Sequence, residues 1–86
     1  GGEEFFVVCV EADMDEAFRI AERIRSVIER LRIKNKNEDV VKFTVSLGIA
    51  QYDGSETFDE LVKRADDALY KAKGRGRNRI CKADKN

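Results

Sequence analysis

The spacing of apolar residues changes along this chain, and each change predicts a structural element. Residues 5–10 are apolar without interruption, which is typical of a strand covered on both faces. The apolar residues of the next segment recur at helical spacing and form one stripe. They are Ala17, Ile20, Ala21, Ile24, Val27, Ile28 and Leu31. Asp13, with Glu16 three residues later, predicts a capping box at the start of this helix.

The second half of the chain repeats the order of strand then helix. Residues 34–39 are polar and predict a loop, and residues 43–50 alternate bulky with small side chains, as in a strand with two unlike faces. Thr57 and Glu60 predict a second capping box. The apolar residues that follow lie on one helical face: Leu61, Val62, Ala65, Ala68, Leu69 and Ala72. With a short last strand at residues 78–82, the predicted order is β-α-β-α-β, which indicates an α/β or α+β sheet covered by helices.

Composition narrows the possible functions. The chain has 86 residues, with 17 Lys+Arg and 17 Asp+Glu, so its zero net charge gives no overall attraction to nucleic acid or anionic membranes. Histidine is absent, which excludes imidazole bases and histidine-bound zinc. No apolar run reaches the roughly 18 residues that would cross a bilayer. Cys9 and Cys81 stand in apolar surroundings, so we expect buried, reduced thiols, with a disulfide as the alternative.

The amino end carries the residues best suited to chemistry. Gly1 and Gly2 are followed by Glu3 and Glu4, directly before the apolar run. Glycines let a backbone approach a phosphate closely, and adjacent carboxylates are hard oxygen ligands suited to Mg²⁺. From the residues alone, a polar turn at the tip of a hairpin is the simpler explanation of the same four residues.

Three segments of the chain resemble one protein family. Residues 1–5, GGEEF, resemble the signature of the GGDEF family, the diguanylate cyclases of bacterial signalling. Residues 44–50, TVSLGIA, are similar to the family's central strand after its first long helix. Residues 65–73, ADDALYKAK, together with GRN at residues 76–78, resemble its last helix and the loop that leaves it. Because the segments stand in the family's order and spacing, the resemblance extends from end to end.

The resemblance implies a ferredoxin-like sheet, related to that of nucleotidyl cyclases, of which residues 1–86 would be the C-terminal part. The family's first strand with its metal-binding Asp, its guanine-reading helices and an Arg-x-x-Asp inhibition motif would precede residue 1. In the family sheet that first strand lies between the strands matching residues 5–10 and 43–50. We therefore expect these two strands to meet directly, to recruit another chain or to leave open edges. We also expect the chain alone to be inactive, and weakly stable or associated.

The implied activity is that of a diguanylate cyclase, a nucleotidyltransferase that condenses two GTP molecules to cyclic di-GMP and pyrophosphate with Mg²⁺ or Mn²⁺ as cofactor. By resemblance, Glu3 is the metal ligand most directly tied to catalysis, and Glu4 completes the metal environment. Gly1 and Gly2 would line the approach of the substrate phosphates.

Three basic residues complete the implied site. Lys73 and Arg77 match the family's phosphate-binding pair and would clamp the β- and γ-phosphates of GTP. From the residues alone, Lys73 is a solvated cation in the last turn of a helix, where a cation is favoured anyway. Arg23 matches a position that contributes to inhibition by cyclic di-GMP in some family members, and a surface arginine without function is the simpler explanation.

The implied partners are GTP, cyclic di-GMP and, in the parent protein, a second subunit, because each subunit would hold one GTP. Nucleic acid is not expected, since the basic residues near the carboxyl end have no aromatic residues between them to stack on bases. We expect a cytoplasmic domain without membrane contact, attached to a membrane only through other domains of the parent. The alternative function is a GGDEF-like module that binds nucleotide or a partner without turnover.

Overall fold

The computed structural model describes residues 2–11 and 13–84 and contains one three-stranded parallel sheet and one short hairpin. The elements are β1 (Gly2–Val10), α1 (Met14–Arg30), β2 (Ile33–Lys34), β3 (Val40–Val41), β4 (Phe43–Gln51), α2 (Phe58–Gly74) and β5 (Ile80–Lys82). The strand order of the sheet is β1-β4-β5. The α/β class and the β-α-β-α-β order are confirmed. The antiparallel pair β2–β3 was not predicted; it flanks the expected polar loop at residues 34–39.

The two long strands lie side by side. β1 and β4 are parallel and in register over their whole length, from Gly2 opposite Phe43 to Val10 opposite Gln51. On the other edge of β4, the short strand β5 begins with Ile80 opposite Leu47. Of the three arrangements expected for these strands, the structure therefore adopts direct pairing, and β1 remains an edge strand in the described part of the chain.

The alternation along β4 assigns one face of the sheet to each helix. Val45, Leu47 and Ile49 face α1 and form a core with Ala21 and Ile80. The small residues of β4 face α2, which approaches so closely that a Cβ on Gly48 would lie 2.1 Å from the carbonyl oxygen of Ala65. Glycine at this position is what allows the helix to touch the strand.

The predicted capping box forms at α2 and does not form at α1. The Thr57 hydroxyl accepts from the N–H of Glu60, while the Glu60 carboxylate accepts from the N–H of Thr57 at 2.8 Å. At α1, the Asp13 carboxylate accepts from the N–H of Asp15 at 2.9 Å. Glu16 does not complete the box there because its carboxylate pairs with Arg19 instead.

β1 is less covered than its apolar sequence predicts. Phe5, Phe6 and Val7 keep 39%, 51% and 40% of their surface exposed. Cys9 is also exposed, so the expectation of two buried cysteines holds only for Cys81, and both are free thiols. The reason is positional: both helices pack mainly on the central strand β4, so the edge strand β1 is only partly covered on each of its faces. In the described part of the chain, neither helix is long and apolar enough to cross a membrane.

Candidate functional site

The start of β1 lies beside the end of α2, because each helix runs back across the sheet against the direction of the strands. Glu3 and Phe5 share the face of β1 directed to α2, since alternate residues of a strand point the same way. The Phe5 ring lies under two cations of the α2 end. The Lys73 Nζ is 4.1 Å from the ring centroid, and the Arg77 Cζ is 5.3 Å from it. One carboxylate and two cations predicted from the sequence are thus collected at one corner of the α2 face.

A buried serine connects the carboxylate to the loop after α2. The Ser46 hydroxyl donates to Glu3 Oε1 at 2.9 Å and accepts from the backbone N–H of Asn78 at 2.9 Å. Ser46 itself is 0% exposed, so its hydroxyl depends on these two bonds for hydrogen-bonding partners. The sequence alone did not single out Ser46, because it resembles the other small residues of β4. The register pairs Glu3 with Thr44, and Ser46, two residues later in β4, lies on the same face of the sheet as both. That position, which requires knowledge of the strand pairing, is the feature that identifies Ser46.

The loop after α2 is fixed by a Schellman motif, the helix ending that uses a left-handed residue. The N–H of Gly76 donates to the carbonyl of Lys73 at 3.3 Å, and the N–H of Arg77 donates to the carbonyl of Ala72 at 2.9 Å. Gly76 has φ 116°, which favours glycine. Arg77 and Asn78 follow with φ 63° and 48°, so an arginine without glycine's freedom is held in the left-handed region. Such strain, of about 1–2 kcal/mol, is concentrated at functional sites in proteins.

Side chains of α1 hold the same loop from the other side of the sheet end. Arg25 donates from Nη1 to the Asn78 Oδ1 at 2.9 Å, and Asn78 donates from Nδ2 to the carboxylate of Glu29. Arg25 also donates from Nε to Glu22 at 3.0 Å. That hydrogen bond lowers the pKa of Glu22 and raises the pKa of Arg25. The loop that carries Arg77 is therefore anchored by a charged network rather than by loop residues alone.

The other residues predicted for the site lie elsewhere. Glu4 alternates with Glu3, so it points to the opposite face of β1, and the structure does not bring the two carboxylates together. Gly2 is the first residue of β1, paired with Phe43, so the described residues at this end form a strand rather than the expected turn. Gly1 lies outside the described residues. Arg23 is exposed on α1, two positions after the buried Ala21, and is directed away from the sheet.

The donor set at the corner fits a divalent ion only in part. The Glu3 carboxylate is a hard oxygen ligand of the kind that Mg²⁺ prefers. Among residues 2–11 and 13–84, however, no three acidic, cysteine or histidine side chains come together to hold a metal. Mg²⁺ commonly uses one or two carboxylates and takes its remaining ligands from substrate phosphates and water. Glu3 is therefore compatible with one protein ligand in such a set.

A separate cleft of about 580 Å³ lies at the far end of the sheet, where β4 and β5 end. Arg64 lines it and makes a bidentate ion pair with Glu56, with Nε 3.0 Å from Oε2 and Nη2 3.1 Å from Oε1. Lys82, also in its lining, pairs with Asp15 at 3.4 Å. Neither pair was predicted from the sequence. No residue predicted for the site lines this cleft, and its charges serve the fold.

Comparison with protein families matches residues 1–79 to the model described as "Diguanylate cyclase, GGDEF domain". Among curated proteins, the chain is 44% identical over 80 residues to diguanylate cyclase DosC of Escherichia coli strain K12. The match covers 93% of this chain and 17% of DosC, so the chain spans about a sixth of that relative's length.

Two solved structures share the fold. The GGDEF domain of DgcB from Caulobacter crescentus, crystallised in complex with c-di-GMP, superposes with a TM-score of 0.81 at 29% identity, over 86% of this chain and 43% of that chain. The active GGEEF domain of a diguanylate cyclase from Vibrio cholerae gives a TM-score of 0.67 at 30% identity, over 87% of this chain and 47% of that chain. In both comparisons, this chain corresponds to slightly less than half of the solved one.

Proposed function

Because this chain belongs to the GGDEF family of diguanylate cyclase domains, we propose that its corner of Glu3, Lys73 and Arg77 is part of a GTP site. The observation that carries the proposal is the common position of the three side chains: Phe5, two residues after Glu3 on the same face, contacts both cations. A carboxylate for a metal ion and two cations for phosphates are the charges that a nucleoside triphosphate needs.

The reaction is the attack of the 3′-hydroxyl of each GTP on the α-phosphate of the other, with pyrophosphate leaving. Lys73 and Arg77 bind and orient the triphosphate tail, and they neutralise charge on the leaving pyrophosphate. The Ser46 hydroxyl donates to Glu3 Oε1 and so restricts the carboxylate that would hold the metal ion. A bound Mg²⁺ or Mn²⁺ would supply charge neutralisation at the phosphates and a more acidic hydroxyl.

The contacts of Phe5 define a resting state for the two cations. A cation–π contact at a half-exposed ring stabilises by about 0.5–1 kcal/mol, whereas a hydrogen bond to a charged phosphate stabilises by about 1.5–3 kcal/mol. The phosphates therefore win the competition, and Lys73 and Arg77 leave the ring when GTP binds. Phe5 keeps the cations close to the site until then.

In this proposal, the complete domain that converts GTP to cyclic di-GMP is longer than these 86 residues. The chain is its C-terminal part, and the remaining metal carboxylate and the guanine-reading residues belong to the preceding part. Turnover takes place in a cytoplasmic homodimer of the parent protein, with one GTP held by each subunit. The chain by itself binds the triphosphate weakly and forms no cyclic di-GMP.

Binding of a fluorescent GTP analogue to the 86-residue chain, with Mg²⁺, tests the cation pair. We expect Lys73→Gln and Arg77→Gln each to weaken binding at least tenfold, which corresponds to about 1.4 kcal/mol. Lys71→Gln is the matched control, because Lys71 lies two residues earlier on the same helix and pairs with Asp84. Equal weakening by all three variants would mean nonspecific charge attraction and would contradict the proposal.

A chimera tests turnover. The matched 80-residue segment of DosC is replaced with this chain, and cyclic di-GMP is measured after addition of GTP and Mg²⁺. We expect product from the chimera, none with Glu3→Gln, and a smaller loss with Glu4→Gln because Glu4 faces the other side of the sheet. A folded chimera that binds GTP without forming product would instead favour the alternative module without turnover, consistent with the single carboxylate at this corner.

A further inference from the structure

The side chain of Arg25 on α1 is covered, although the helix is rich in exposed charges. It is 15% exposed, whereas the side chain of Arg19 on the same helix is 68% exposed. Each of these two arginines pairs with a glutamate three residues earlier in α1. Arg25 differs because its Nη1 also donates to Asn78 Oδ1 at 2.9 Å, across 53 positions of sequence. An ion pair within the helix does not need this second contact, so the contact indicates a role in the loop that carries Asn78.

The guanidinium of Arg25 divides its donors between α1 and the loop after α2. Nε donates to both carboxylate oxygens of Glu22 at 3.0 Å, while Nη1 donates to Asn78 and lies 3.6 Å from Glu29 Oε1. Asn78 donates in turn from Nδ2 to the carboxylate of Glu29. Its amide therefore presents oxygen to the cation and nitrogen to the anion, which fixes the side chain at both ends. Because a guanidinium is planar and rigid, the pair with Glu22 sets the direction in which Nη1 holds Asn78.

Arg77 is held in a strained conformation by contacts on both sides of it. Gly76, Arg77 and Asn78 have φ values of 116°, 63° and 48°, and this left-handed region is unfavourable for a residue with a Cβ. Before the loop turns, the Schellman motif binds the N–H of Arg77. After it, the N–H of Asn78 donates to the Ser46 hydroxyl at 2.9 Å, and the Asn78 side chain is held by Arg25. Release of that side chain removes one of these holds, so the strained Arg77 backbone can relax and carry the guanidinium away from the proposed site.

We propose that Arg25 is a positioning residue of the proposed GTP site, which holds Arg77 in place through Asn78. The inference rests on the proposed function. Arg25 does not act on the phosphates itself, because α1 and α2 cover opposite faces of the sheet. Lys73 is independent of Arg25, since it lies within α2 rather than in the loop that follows. The contacts that carry the inference join α1, β4 and the loop after α2, and none of them uses β1.

Binding of a fluorescent GTP analogue to the 86-residue chain, with Mg²⁺, tests the role of the guanidinium. Arg25→Lys keeps the positive charge and the helix propensity, but it loses the planar donors that reach Glu22 and Asn78 together. We expect binding to weaken about fivefold, the size of one lost hydrogen bond. Arg19→Lys is the matched control and should leave binding unchanged, because Arg19 also pairs with a glutamate of α1 but is exposed. Wild-type affinity of Arg25→Lys would show that the charge alone is sufficient and would overturn the inference.

Double variants in the same binding assay separate positioning from a general role in the fold. If Arg25 acts through Arg77, Arg25→Lys adds nothing to the loss in Arg77→Gln, whereas it adds its full effect to the loss in Lys73→Gln. An equal further loss in both backgrounds would mean that Arg25 supports the whole fold, and would overturn the inference. Weaker binding by Arg77→Gln with unchanged binding by Arg25→Lys would contradict this inference alone. Wild-type binding by Arg77→Gln would instead remove the proposed GTP site, and this inference with it.

Amide hydrogen exchange, followed by NMR without nucleotide, measures how firmly the loop is held. The N–H groups of Arg77 and Asn78 are bonded to a carbonyl of α2 and to the Ser46 hydroxyl, respectively. We expect Arg25→Lys to speed exchange at these two amides about tenfold, with no change at Leu69 in the interior of α2. Unchanged exchange at Arg77 and Asn78 would show that the loop is held without Arg25, and equally faster exchange at Leu69 would show general destabilisation. Either result would overturn the inference.

Discussion

The two helices have the same length but cover the sheet to different extents. Both have 17 residues, yet α2 buries Leu61, Ala65, Ala68, Leu69 and Ala72, whereas among the described residues of α1 only Ala21 is buried. α2 contacts all three strands of the sheet through small side chains and through Gly48. α1 lies over β4 and β5, and its large apolar side chains Ile20, Ile24 and Val27 stay 47–48% exposed. An apolar stripe therefore predicts that a helix packs against another surface, but it does not predict which surface or how completely the stripe is covered.

The closest contact of the α2 face gives the largest predicted effect. Gly48→Ala would place a Cβ 2.1 Å from the Ala65 carbonyl oxygen and 2.3 Å from the Leu69 backbone nitrogen. Backbone atoms cannot move aside as a side chain can, so we expect a loss of about 3 kcal/mol or more in the free energy of unfolding. Urea denaturation of the 86-residue chain followed by circular dichroism measures it.

Gly74→Ala is the control for that substitution. No atom lies within 4 Å of a Cβ at Gly74, the last residue of α2. Alanine favours a helix by up to about 1 kcal/mol over glycine, so we expect no loss or a small gain in stability. A loss at Gly74 equal to that at Gly48 would mean that glycine flexibility, rather than close packing, matters in this region.

Two isoleucines sharpen the comparison between covered and open surfaces. Ile49 is 0% exposed in the α1-side core, and Ile24 is 48% exposed on the α1 flank. We expect Ile49→Ala to lower the free energy of unfolding by about 3 kcal/mol, and Ile24→Ala by less than about 1 kcal/mol in dilute protein. If Ile24→Ala proves as destabilising as Ile49→Ala at low concentration, the flank is covered within the monomer.

Local patterns predicted the elements of this fold well. The α2 stripe, the Thr57–Glu60 box and the alternation in residues 43–50 all depend on neighbours in sequence, and the structure follows them. The α1 stripe was only partly predictive, because coverage of Ile24 and Val27 depends on where the sheet ends. The edge of the sheet is set by the pairing of β1 with β4. A local sequence pattern cannot predict this pairing, because it joins segments that are distant in sequence.

The candidate site shows the same division. The resemblance to the family identified Glu3, Lys73 and Arg77 as site residues, and in the structure they lie at one corner. Ser46 escaped notice because its contacts with Glu3 and with Asn78 span 43 and 32 positions of sequence. The pairing of Arg64 with Glu56 was missed for a related reason: Glu56 precedes the cap of α2, outside helical spacing.

The smallest predicted effect concerns pH and the α1 network that anchors the loop. The hydrogen bond from Arg25 lowers the pKa of Glu22 in the folded chain below the ordinary glutamate value of about 4.3. The ionised carboxylate therefore contributes stability that is present above pH 4.3 and is lost as pH falls through the lower folded pKa. Because Glu22 is 45% exposed, solvent limits this contribution to less than about 1 kcal/mol. We expect Glu22→Gln to be less stable than wild type at pH 7, with the gap narrowing as the pH falls below 4.3, as measured by urea denaturation. Glu16→Gln, which removes the more exposed pair with Arg19, should show a smaller gap at pH 7. A gap for Glu22→Gln that stays unchanged down to the lowest pH at which the chain is folded would show that its side-chain packing, and not its charge, supports the loop.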